Sequence, residues 1–76
     1  MKIWIVLTWR HYLDEDGSSQ QVWWEELAVI AGNREEAITK VEIAIINGKT
    51  NSMLTDTCTA EELKNPTQYH KITIIP

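Results

Sequence analysis

The chain has 76 residues, 43% of them apolar, a formal charge of −4 and one cysteine, Cys58. Such a length permits one small domain, residues 1–76, and the apolar fraction excludes a disordered chain. The lone thiol excludes an internal disulfide, and the acidic balance opposes a general nucleic-acid binder, which needs a basic stripe to displace counterions from phosphate.

Residues 2–12 predict a first strand, rich in β-branched and aromatic residues and free of Gly and Pro. Ile3, Ile5, Leu7, Trp9 and His11 share one face; Lys2, Trp4, Val6, Thr8, Arg10 and Tyr12 share the other. The first set is the more apolar and is expected to look at the core. The same segment opens with Lys2 and an apolar run, as a secretory signal does, but Thr8 and Arg10 interrupt it and no small-residue cleavage site follows. Nor does any stretch approach the roughly 20 apolar residues of a membrane helix. The expected location is cytoplasmic.

Residues 13–19 predict a turn, with Asp16-Gly17 as its hairpin dipeptide. Residues 20–31 predict the return strand. Leu27, Val29 and Ala31 suit one face, and Glu25-Glu26 interrupts the alternation in a way that points to a nearby bulge. Asn33 then reads as a helix N-cap with Glu36 at the capping-box position. Ala37, Ile38, Val41, Ala44 and Ile45 make an apolar stripe, and Gly48 is the expected stop. Residues 49–58 are polar and read as a loop. Thr59-Ala60-Glu61-Glu62 resembles a second capping box, so a short helix ending before Pro66 is expected, followed by a last strand over residues 69–75.

The fold class expected from this order is a two-layer α+β domain: hairpin, main helix, short helix and third strand (ββαβ), with antiparallel sheet order 2-1-3. The main helix covers one face of the sheet. The other face has only the short helix or a loop to cover it.

Four tryptophans, Trp4, Trp9, Trp23 and Trp24, all fall within the predicted hairpin. Trp4 and Trp9 differ in parity, as do Trp23 and Trp24, so regular strands would send one of each pair to each face. Trp4, Arg10 and Tyr12, with Trp23 or Trp24, are therefore the candidate binding residues on an uncovered face. Trp, Tyr and Arg are the usual anchors of protein contacts. The same aromatics with a cation would also serve to stack a nucleotide.

Chemistry-bearing motifs are absent from the sequence. His11, His70 and Cys58 lack metal-ligand spacing. The Asp14-Glu15-Asp16-Gly17 turn fails as a calcium loop, because Tyr12 and Trp23 would hold its first and twelfth ligand positions. Glycines 17, 32 and 48 form no phosphate cradle. The reading is a non-catalytic accessory, regulatory or inhibitor-type protein without cofactor or metal. Its expected partners are another protein or a second copy of itself, bound through a Trp-bearing sheet face, with no nucleic acid and no membrane. The alternative is a protein that sequesters or senses a small nucleotide-like ligand by stacking.

Overall fold

The structure is a computed structural model and describes residues 2–64 and 73–75. Strands β1 (Lys2–Leu13) and β2 (Ser19–Ala31) form a long antiparallel hairpin. Its turn places Gly17 at φ +86°, a left-handed conformation that glycine adopts at little cost. Asp16 Oδ1 accepts from both the backbone N–H and the hydroxyl of Ser18, and the Asp14 N–H donates to the Ser18 carbonyl at 2.8 Å.

Helix α1 (Arg34–Ile46) starts at the predicted cap. The Asn33 side chain accepts the Glu36 N–H at 2.8 Å, and the Glu36 carboxylate accepts the Gly32 N–H at 3.0 Å, one residue before the cap. At the far end Gly48 takes φ +70°. The N–H groups of Gly48 and Lys49 bond the carbonyls of Ile45 and Ala44, the Schellman arrangement that satisfies otherwise orphaned carbonyls. Asn33→Ala is expected to cost about 1 kcal/mol. The check is a lower thermal midpoint with an unchanged far-ultraviolet circular dichroism spectrum.

The sheet order is β3-β1-β2-β4. β3 (Thr57–Glu62) runs antiparallel to β1, so β2-β1-β3 forms the antiparallel 2-1-3 set of a ββαβ α+β fold. β4 (Thr73–Ile75) lies parallel to β2 at the opposite edge. The core packs Ala37, Val41 and Ala44 of α1 against Val6, Leu27, Val29, Ala31 and Ala60 of the sheet.

Three expectations are corrected. The predicted short helix is instead strand β3, and it supplies the strand beside β1 that was assigned to residues 69–75. A helix squeezed between Thr59 and Pro66 has too few turns to offset its costly nucleus. Thr57, Cys58 and Thr59 find a ladder on β1 instead. The last strand, in consequence, takes the free edge of β2 and pairs in parallel; its predicted residues 69–72 lie outside the described residues.

The third correction concerns which face of β1 meets the helix. Trp4, Val6 and Thr8 turn toward α1, and Ile3 and Leu7 turn away. The cause is a bulge: Thr8 pairs with Glu25, Trp9 with Trp23, and Trp24 has no partner on β1. An unbroken register from the turn would have set Ile5 opposite Leu27 and Ile3 opposite Val29, the two most apolar stripes together. One extra residue inverts that pairing, so Leu27 meets Val6 and Val29 meets Trp4. Ile5 and Ala28, facing each other on the far side of the sheet, are nevertheless buried as well.

Candidate functional site

β3 pairs with β1 only from Trp4 to Trp9, and β4 pairs with β2 only from Leu27 to Val29. Among the described residues, the strands beyond Trp9 and Trp23 pair only with each other, from Arg10–Val22 to Leu13–Ser19. The distal hairpin is therefore a two-stranded arm on a molecule whose longest dimension is 44 Å. A lone two-stranded ribbon is at best marginally stable in water. What holds the base of the arm consequently decides how well its side chains are positioned.

On the helix side, the loop after α1 is clamped across that base. The Arg10 guanidinium makes a fork-like pair with Asp56, Nε to Oδ1 and a terminal nitrogen to Oδ2, both at 3.0 Å. Asp56 also accepts the Met53 N–H at 2.7 Å, and its side chain is only 2% exposed. The bond from Arg10 holds the Asp56 carboxyl below its ordinary range, with help from the Met53 N–H and against the opposing effect of burial. Arg10 also stacks on Trp24, 3.6 Å from the ring centroid. Trp24 Nε1 in turn donates to the Asn51 carbonyl at 2.9 Å.

A second set of polar groups is buried beside this pair. The Ser52 hydroxyl donates to Glu25 Oε1 at 2.6 Å and lies 2.8 Å from the Thr8 hydroxyl. The Thr8 hydroxyl also reaches the Glu25 carbonyl at 3.4 Å. Among the described residues no buried side-chain donor or acceptor lacks a partner, so the network is complete and specifies one loop position. On the opposite face, Trp9 Nε1 donates to Thr59 Oγ1 at 3.1 Å, and His11 Nε2 lies 2.6 Å from Thr57 Oγ1. Both sides of the base are thereby tied to neighbouring chain.

The candidate residues are divided by this arrangement. Trp4 is half-buried against the helix-side core, with Nε1 donating to the Ala31 carbonyl at 3.1 Å, and belongs to the packing of the domain. Arg10 is engaged within the chain. Tyr12, Trp23 and Trp24 remain large exposed aromatics, at 49%, 57% and 45%. Trp24 lies on the helix side, over Arg10, whereas Trp23 faces the other way beside Trp9. The tryptophans are split two and two between the faces, with the members of the first pair exchanged relative to expectation. Met53 and Leu54 of the clamped loop are also exposed. Sequence reasoning passed over Ser52, Asp56, Thr8 and Glu25, because single polar residues in a strand or Thr-rich loop carry no periodic signal.

One recess among the described residues, about 170 Å³, is lined by Ile5, Leu7, Thr59, Ala60 and Glu61. Ligand pockets are more commonly about 300–1,000 Å³. No group of three or more His, Cys, Asp or Glu side chains among the described residues is placed to hold a metal ion. Burial pushes the Cys58 thiol up, away from the thiolate form that nucleophilic chemistry requires. No helix among the described residues is long and apolar enough to cross a membrane. Comparison of the chain with protein families, curated proteins and solved structures gave no match.

Proposed function

We propose that this is a non-catalytic cytoplasmic protein of accessory, regulatory or inhibitor type that binds a protein partner through its hairpin arm. The observation that carries this reading is the exposure of Tyr12, Trp23 and Trp24 on a ribbon that no other strand among the described residues flanks beyond Trp9. Exposed aromatics of this kind are enriched at contact hot spots, and burying them against a partner would stabilise a ribbon that is marginal alone. Arg10 serves the arm by fixing Trp24 and the 49–56 loop rather than by meeting the partner directly.

The stacking alternative has less in its favour. The guanidinium already covers one face of Trp24. Affinity capture from the producing cells tests the protein-binding reading. Trp23→Ala and Tyr12→Ala are expected to lose a partner that the wild-type chain retains, with a fall in affinity of tenfold or more for the better anchor. Retention of every captured protein by both variants would remove the arm from consideration. Quenching of tryptophan emission by a nucleotide panel would turn the case toward stacking.

A further inference from the structure

Among the described residues, no strand pairs with the outer edge of β3. The Leu63 N–H donates to the Ile3 carbonyl at 2.8 Å, which sets the alternation of the β1–β3 ladder. Thr57, Thr59 and Glu61 turn their backbone groups toward β1, and Cys58, Ala60 and Glu62 turn theirs outward. Among the described residues, no backbone group meets those outward groups. Protein edges are usually blunted by charged side chains, above all lysine, by proline or by a bulge, and in β3 the charges are confined to its last two residues, Glu61 and Glu62. β3 reads Thr-Cys-Thr-Ala-Glu-Glu and pairs without a register break. Its first four side chains are small enough to admit a neighbouring backbone.

An apolar helix flank runs along the same seam. Glu42 lies close enough to Cys58 to act on its thiol electrostatically. Ile38 and Ile45, four residues before and three after Glu42, share that flank of α1, and both are only half-buried against the core.

We propose that a second copy of this chain occupies the edge, pairing β3 with β3 antiparallel about a two-fold axis through Ala60. This inference is separate from the arm reading and stands without it. Outward residues must meet outward residues, which restricts the register. Centred on Ala60, the pairing sets Cys58 opposite Glu62, Thr59 opposite Glu61 and Thr57 opposite Leu63, with no two carboxylates directly opposed. Centring on Thr59 would oppose Asp56 and Glu62, and centring on Glu61 would oppose that residue with its own copy. Like charges directly across a sheet are destabilising. The arm projects beyond the Thr57 end of β3, so the two-fold sends the arms to opposite ends of a continuous sheet and leaves both free.

Light scattering across a concentration series is the first test. The expected particle has twice the 8.8 kDa chain mass; a mass of 8.8 kDa throughout overturns the proposal. The register is tested by Glu62→Cys, which would set each new thiol directly opposite Cys58 of the second copy, about 5.5 Å between Cα atoms, within disulfide reach. Mild oxidation should then give a cross-linked dimer on a non-reducing gel. The wild-type Cys58 thiols, four positions apart along the seam, should give none. Failure of the variant to cross-link, or equal cross-linking of the wild type, overturns the pairing. Trp23→Ala is expected to keep the doubled mass. Its loss there would transfer the self-contact to the arm and overturn the β3 assignment, whereas a kept mass with a lost partner would separate the two surfaces.

Discussion

Leu27→Ala is expected to lower stability by about 3 kcal/mol. Leu27 has no solvent exposure, faces Val6 across the hairpin and belongs to the cluster beneath α1. Truncation removes buried methyl groups and leaves a cavity whose walls are two strands and a helix, none of which collapses easily. At roughly 0.05–0.15 kcal/mol per residue, a chain of this size is stable by about 4–11 kcal/mol, so the loss is a large share of the whole. The thermal midpoint should fall by roughly 12–24 °C in calorimetry or circular dichroism. Ile30→Ala gives the contrast. Ile30 lies on the face turned away from α1 and is 51% exposed, so its truncation should cost little. Comparable losses from the two variants would mean that the bulge at Trp24 does not set the faces as described.

Arg10→Ala should destabilise the protein more than Asp56→Ala, although each removes the same ion pair. Without Arg10, the Asp56 carboxylate stays enclosed and, among the described residues, keeps only the Met53 N–H as a hydrogen-bond donor. Without Asp56, the guanidinium retains its stack on Trp24 and its own access to water, since the side chain is 25% exposed. An unpaired enclosed charge is the costlier remnant. Arg10→Lys should fail to rescue, because an ammonium reproduces neither the fork nor the stack. Amide exchange over residues 50–56 reads the local consequence, and faster exchange in Arg10→Ala is the expected result.

The same pair sets a pH dependence. The folded-state pKa of Asp56 lies below its ordinary value of 3.8. Its contribution to stability is therefore fully present above about pH 4 and is lost as the pH falls below 3.8 toward the folded value. In Arg10→Ala the depressing bond is gone and burial favours the neutral acid, so this acid limb should flatten or reverse. An acid titration of the thermal midpoint, wild type against Arg10→Ala, checks the sign. Parallel curves would mean that Asp56 does not couple to Arg10 in the folded state.

Much of the fold was legible in local signals. The Asp16-Gly17 turn, the Asn33 cap with Glu36 and the Gly48 stop are short-range chemistry, and each appears where the residues indicate. The two long strands and their antiparallel pairing follow from composition and the turn between them. Thr59-Ala60-Glu61-Glu62 misled because a capping box carries weight only where a helix has room to grow. The same residues accept a ladder when a strand edge lies open beside them.

The candidate site was legible in part. Composition alone marks Arg10, Tyr12, Trp23 and Trp24 as unusual, and all four lie on the arm or at its base. Trp4 is chemically the same kind of residue and sits elsewhere, against the core. Nothing in the sequence near Asp56 announces that it will hold Arg10, because the two are 46 positions apart.

The sequence by itself determined the hairpin, the main helix with its caps and the concentration of tryptophan in that hairpin, since these depend on neighbours a few residues apart. Tertiary structure decided which faces those elements show. A single extra residue in β2, Trp24, inverts the parity between the two strands and brings Trp4, Val6 and Thr8 under the helix in place of Ile3 and Leu7. The alternation of side chains is local, but the register that gives it meaning forms only when both strands, the helix and the clamped loop pack together.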